Sequence, residues 1–283
     1  MTEPTPNRCR VTAIVLTRDE EINIEPCLRS LAWADEVVIV DSHSTDRTVA
    51  IAQTARPDVR ILQHPFTDFG DQRNWALDHT APRNDWILFV DADERITPAC
   101  AKAISAAIAD PGDKAGFFLT CRNFFMGRWI KHCTLYPSWQ LRLLKRGQVR
   151  FRKEGHGQRE VSSAPLGYLR EPYDHFGFSK GVEHWKARHE IYAANEAELI
   201  FRLRSEPLAM RDLFSPDPVI RRRGLKRLAA RTPFRPWLRF FYIYIWRRGF
   251  LDGKPGFTFA MLRFGHEVRI TAKLAESIRQ SRD

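Results

Sequence analysis

The chain has no Cys-x-x-Cys pair, no glycine-rich turn behind its first apolar run, and no apolar stretch near the roughly 20 residues that a membrane-spanning helix needs. Its five cysteines, Cys9, Cys27, Cys100, Cys121 and Cys133, are odd in number and scattered. That spacing argues against a zinc site or a disulfide framework and fits a reducing cytosol. Without Gly-x-Gly-x-x-Gly after the first strand, or Gly-Lys-Ser/Thr anywhere, neither a dinucleotide dehydrogenase nor a P-loop enzyme is expected. The opening MTEPTPNRCR is polar and contains proline, so no signal peptide is expected.

What the chain does have is enough apolar material, 43% of 283 residues, for one large domain or a domain with an appendage. Its formal net charge of +11 is unevenly placed. Residues 1–200 carry 26 basic and 27 acidic side chains, whereas residues 201–283 carry 19 and 7. A nearly neutral body is therefore joined to a strongly basic C-terminal segment.

Short apolar runs alternate with helical patterns through the first 110 residues. VTAIVL (11–16), EVVIV (36–40), VRIL (59–62) and WILFV (86–90) suit buried parallel strands. Between them, Ile24, Cys27, Leu28 and Leu31 recur at helical spacing. Helices are also predicted over 44–55, capped by Ser44 or Thr45, and over 69–80. Thr97-Pro98 reads as the cap and first residue of a helix running to about Ala109. This alternation predicts an α/β fold, an open parallel sheet with helices on both faces.

Ligands of such sheets bind beyond the carboxyl ends of the strands. Those ends carry Thr17-Arg18-Asp19-Glu20, Asp41-Ser42 and Asp91-Ala92-Asp93, with Glu94 next in line. So many acids converging on one crevice call for a cation. A divalent metal carrying a phosphorylated ligand meets that need, since hard cations take carboxylate oxygens and bring phosphates with them. Past residue 115 the chain interleaves aromatics with Arg and Lys, as a packed sheet floor or a sugar-binding wall would. FRKEGHGQREV, from Phe151, reads as a strand-edge loop carrying Glu154, His156 and Glu160.

The segment IVLTRDEEINIEPCLRSL followed by ADEVVIVDSHSTDRT resembles the opening of family 2 of the inverting glycosyltransferases, and LFVDADE resembles their metal-binding Asp-x-Asp. YPSWQLRLLKRG, RHEIYAANEAE and RRGFLDGKPGF resemble bacterial enzymes that glycosylate lipopolysaccharide core or related envelope glycans, such as the core β-1,4-glucosyltransferases. The resemblance covers most of the chain in the right order. It implies a GT-A fold with Thr17, Arg18 and Glu20 at the nucleotide pocket, Asp41 on the base and Arg73 helping to hold the nucleotide. Asp91 would lie near the ribose and join Asp93, the main ligand, at a Mg²⁺ or Mn²⁺ ion. Without that ion, the repulsion among the acids should raise at least one carboxyl pKa.

The resemblance also implies a carboxylate base some 60 to 70 residues beyond the Asp-x-Asp, where Glu154 and Glu160 flank His156. This chain reads Gly-His-Gly-Gln where many relatives carry Val-His-Glu, and Ser138 where many carry Asp, so Glu154 and Glu160 both stay open.

In the basic segment the longest apolar run, Phe240 to Trp246, is flanked by Arg235, Arg239, Arg247 and Arg248 with Trp237 and Trp246 near its ends. Basic residues with aromatics suit a helix lying in the headgroup layer of an anionic membrane. The same composition could contact nucleic acid, but no recognition-helix motif or zinc spacing accompanies it. A nucleotidyltransferase on a similar fold would carry a glycine-rich basic loop where LTRDEEINIE stands.

The expectation is a GT-A glycosyltransferase domain over 1–200, with a nucleotide-sugar part at about 8–115 and an acceptor part at about 116–200, followed by a basic helical extension over 201–283. It would move a hexose from a nucleotide sugar such as UDP-glucose to a lipid-linked envelope glycan, at the cytoplasmic face of a bacterial inner membrane. Oligomeric state, donor sugar and acceptor linkage are not encoded in any motif.

Overall fold

The computed structural model describes residues 9–280 except 135, 155, 156, 215, 217 and 233. The first four strands are β1 (Cys9–Thr17), β2 (Ala34–Asp41), β3 (Arg60–Gln63) and β4 (Trp86–Asp91). Then come β5 (Glu94–Arg95), β6 (Gly116–Phe125), β7 (Arg128–Trp129), β8 (Trp139–Lys145) and β11 (Leu166–His175). Among the described residues these form one nine-stranded sheet, ordered β3-β2-β1-β4-β8-β6-β11-β5, with β7 beside β6. The strands β3, β2, β1 and β4 run parallel, whereas β8 is antiparallel to both β4 and β6. Chain order turns back between β1 and β4, so the crevice expected of such a sheet opens at their carboxyl ends.

Side chains of β1 alternate between two cores. Val11, Ala13 and Val15 pack with Ile24, Cys27 and Leu28 of α1 (Ile24–Ser30) and with Ile104 of α4 (Pro98–Ala109). Ile14 packs on the other face with Phe89, Phe151 and Ala76 of α3 (Phe69–His79). Coverage on both faces explains why these strands read as continuous apolar runs. Each large side chain taken fully out of water contributes about 1.5–3 kcal/mol. At Gly116 the sheet has no room for more: a Cβ there would come within 2.7 Å of the Leu143 carbonyl oxygen.

Three local expectations turn out differently. The helix α2 spans Thr48–Ala55, and Ser44 and Thr45 instead tie the loop before it. Ser44 donates its N–H to Asp41 at 3.0 Å, and Thr45 donates its own to Asp19 at 2.7 Å. The FRKEGHGQREV segment is not a loop but an antiparallel hairpin of β9 (Val149–Glu154) and β10 (Gly157–Ser162). Asn74 of α3 holds it, donating to the Phe151 carbonyl at 2.7 Å and accepting the Phe151 N–H at 3.0 Å. Finally, the division expected near residue 200 falls inside α5 (Gly181–Ser205); the chain forms two compact units that part between Lys180 and Gly181.

The second unit is helical. Ala193, Ala197 and Ile200 of α5 share a core with Ala230 of α7 (Pro218–Arg231) and with Ile270 and Leu274 of α9 (Gly253–Gln280). Between α7 and α9, α8 (Arg235–Phe241) runs into a π-helical turn, Tyr242–Trp246, and a 3-10 turn, Gly249–Asp252. No helix among the described residues is long and apolar enough to cross a membrane.

Candidate active site

β4 delivers Asp91 to the carboxyl edge of the sheet, and the turn after it carries Asp93 and Glu94. The first and third of these acids are held by the protein's own cations. Arg142 of β8 donates one guanidinium nitrogen to Asp91 at 2.7 Å and to Glu94. Arg73 of α3 donates to the other Asp91 oxygen at 3.2 Å and to Gln158 of β10 at 3.0 Å. Asp91 closes the turn by donating its N–H to Glu94 at 3.0 Å.

The site is dry, since the side chains of Arg142 and Glu94 are only 4% and 3% exposed. Burial pushes the Glu94 carboxyl up to about 7 against the pull of Arg142, with Asp91 adding repulsion. Burial works the same way on Asp91, but Arg142 and Arg73 more than offset it and hold Asp91 below the ordinary carboxylate range. Arg142 itself is raised well above its usual value, burial being outweighed by the two carboxylates. Glu94 is raised as expected of at least one of these carboxyls, but chiefly by burial, with repulsion from Asp91 and Asp93 adding less. The crowding is offset by an internal arginine, where the sequence pointed to a metal alone.

Asp93 is placed differently. Its Oδ2 lies 3.3 Å from Nε2 of His175, at the end of β11. The other ring nitrogen of His175 meets Asn123 Oδ1 at 2.7 Å. Burial alone would lower the imidazole pKa, but Asp93, supported by Glu94 and Asp91, raises it above 6.5. A raised folded-state value means that this pair contributes fully below pH 6.5, the ordinary value, and the contribution is lost as pH rises through the raised one. In metal-free buffer the wild type should therefore lose stability across that window. His175→Asn should lack this component, and identical pH profiles in urea unfolding would contradict the pairing.

The other expected residues fall at the same edge with different degrees of commitment. Thr17, at the end of β1, is buried and its Oγ1 has no hydrogen-bond partner among the described residues. Arg18 is exposed and lies 3.9 Å from Asp19. Glu20 accepts from Lys180 at 2.6 Å and from Asn23 at 2.6 Å; burial nonetheless raises its carboxyl. Asp41 is fully buried and serves the loop, taking the Ser44 N–H and hydroxyl. Glu160 lies on the hairpin face shared by Gln158 and Phe151, turned toward α3, whereas Glu154 lies on the opposite, exposed face. His156 lies outside the described residues.

Two residues escaped sequence reasoning. His175 is distant in sequence from Asp93 and sits in no recognisable motif. Arg142 had a signal: Leu141, Leu143 and Leu144 around it are all buried, and an arginine in a strand buried on both faces needs a buried anion.

Among the described residues no three His, Cys, Asp or Glu side chains gather as a metal cage. A cation that arrives with a phosphorylated ligand needs no cage, because one or two protein donors suffice when phosphates and water complete the shell. Asp93 and His175, 3.3 Å apart, could supply those donors.

The chain thus has an open α/β sheet with carboxylates at its switch point and no glycine-rich turn behind β1. The family model for glycosyl transferase family 2 matches residues 12–176, more than half of the sequence, and the chain belongs to that family. It is 28% identical over 144 residues to the lipopolysaccharide core biosynthesis glycosyltransferase LpsC of Rhizobium meliloti, covering 50% of this chain and 53% of LpsC. The match therefore spans about half the length of that relative. An uncharacterized glycosyltransferase of Rickettsia felis is 26% identical over 282 residues, covering 97% of this chain and 92% of the other. Among solved structures, glucosyl-3-phosphoglycerate synthase of Mycobacterium tuberculosis, in complex with Mn²⁺, UDP and phosphoglyceric acid, is 14% identical with a TM-score of 0.46, covering 69% and 78% of the two chains.

Proposed function

We propose that this enzyme transfers a hexose, with inversion, from a nucleotide sugar such as UDP-glucose to a lipid-linked envelope glycan of the lipopolysaccharide-core type, at the cytoplasmic face of a bacterial inner membrane. The observation that carries the reading is the Asp93–His175 pair, set beside an Asp91 that two arginines already neutralise. Asp93 and His175 would hold Mg²⁺ or Mn²⁺, which when bound stabilises the departing nucleoside diphosphate. Thr17 offers a hydroxyl with an unused hydrogen bond, and Arg73 orients Asp91 toward the donor. The similarity to LpsC over half its length supports the acceptor class.

Inverting transfer also needs a base to take the proton of the acceptor hydroxyl as that oxygen attacks the anomeric carbon. Glu160 fits better than Glu154. It shares a face with Gln158, whose side-chain oxygen reaches Arg73 and through it Asp91. Glu160→Gln should lower kcat by about 10²–10⁴ with donor affinity unchanged, while Glu154→Gln stays near wild type. Steady-state kinetics with the two effects exchanged would remove the assignment.

A further inference from the structure

The second unit leaves much of its aromatic content in water. Trp237 and Phe241 of α8, Ile245 and Trp246 of the π-helical turn, and Phe250 and Leu251 of the 3-10 turn are all exposed, Trp246 to 80%. Ring contacts join Trp237, Phe241 and Phe250 into one surface, and Ile245, Trp246 and Leu251 are their neighbours in sequence. Phe240 touches Phe241 and Tyr244, Tyr244 touches Phe250, and Trp237 meets Phe241, with ring centroids 5.4–6.4 Å apart. Two bulky residues with left-handed backbones turn the chain here, Phe234 at φ 56° before α8 and Arg248 at φ 59° between the π-helical and 3-10 turns. Contiguous apolar exposure on this scale marks an interaction surface.

Charge selects the occupant. Residues 234–268 contain six Arg and Lys against two acids, Asp252 and Glu267. Both acids are buried, and Glu267 is already bridged by Arg235 at 3.3 Å. Of the six cations, Arg248 and Lys254 are exposed, so the charge set beside the aromatic tips is positive. A second copy of the chain would set like charges against each other across a symmetric contact. An anionic bilayer instead offers an apolar layer beneath a negative one, with tryptophan favoured at the boundary.

We propose that this aromatic face docks the enzyme on an anionic glycerophospholipid membrane. It does so by inserting the side chains of consecutive short helical turns, because no single helix presents the whole apolar surface. The mode differs from the flat helix expected over Phe240–Trp246, since α8 ends at Phe241 and the chain bends through two further turns. Docking rests on the reading that the acceptor is membrane-borne for its purpose, though not for its chemistry.

The experiment is flotation of the full chain with phosphatidylcholine vesicles, with and without phosphatidylglycerol, in parallel with calorimetric UDP-sugar binding. The wild type should float with the anionic vesicles alone. The triple variant Trp237→Ser, Phe241→Ser, Trp246→Ser should partition at least about tenfold more weakly, since it removes three inserted side chains. Arg248→Glu and Lys254→Glu should each weaken binding roughly fivefold or more at low salt, with the difference fading as salt rises. Flotation of the triple variant equal to wild type would overturn the proposal. So would a wild type that ignores vesicles but sediments as a dimer that the triple variant abolishes. Vesicle binding without UDP-sugar binding would leave docking intact and remove the transferase reading.

Discussion

Replacing Arg142 with methionine should cost about 3–5 kcal/mol of stability at neutral pH, among the largest single-residue effects in the protein. The variant removes a side chain that touches both Asp91 and Glu94 while leaving the two acids side by side, Glu94 almost fully buried. Tyr173, whose hydroxyl lies 3.3 Å from Arg142 Nε, also loses its neighbour. The cost should depend on pH in a definite direction. A carboxyl raised in the fold binds its proton more tightly folded than unfolded, so its ionisation lowers stability as pH rises from 4.5 through about 7. Without Arg142 that rise in Glu94 can only grow. Urea unfolding should therefore show the Arg142→Met penalty smaller at acid pH than at alkaline pH. A penalty below about 1 kcal/mol, the usual worth of an exposed pair, or one independent of pH, would mean that Arg142 is not what holds the carboxylates together.

Asp93→Ala should do the reverse, sparing the fold and removing the reaction. Asp93 meets His175 at 3.3 Å, and His175 keeps its contact with Asn123 when that carboxylate is removed. Above the pH window in which the Asp93–His175 pair contributes, stability should change little, whereas transfer should fall by about 10³-fold or more, the loss expected when an electrostatic stabiliser of a leaving group goes. Product formation by chromatography, with far-UV circular dichroism as the control for folding, separates the two effects. Turnover near wild type would show that Asp93 is not at the reacting centre.

The contrast between these two carboxylates, two residues apart, shows where sequence reasoning reached and where it stopped. The strand runs ending at Thr17, Asp41 and Asp91 were legible because burial on both faces leaves unbroken apolar stretches, and strand ends put their next residues on one edge. Thr97 as a cap was legible too, and its hydroxyl accepts the Cys100 N–H at 3.1 Å. The division of labour among the acids was not, because it depends on side chains brought from far along the chain. Arg142 arrives only because β8 pairs antiparallel with β4, setting Leu143 opposite Leu88. His175 arrives by β11 running parallel to β6 and pairing with β5, where it stands opposite Glu94. Local pattern carries no trace of such pairing. The hairpin around Glu154 and Glu160 was missed for a related reason: its basic residues read as polar loop, although Val149 and Phe151 mark a strand with one buried face.

Under the proposed function, this sheet edge binds a nucleotide sugar through a cation held by Asp93 and His175. Isothermal calorimetry of a nucleotide-sugar panel, with and without Mn²⁺ or Mg²⁺, on wild type, Asp93→Ala and Glu154→Gln tests it most directly. Wild type and Glu154→Gln should bind one donor in a metal-dependent way, and Asp93→Ala should lose that binding. Donor binding that is equally strong without metal, and unchanged in Asp93→Ala, would contradict it.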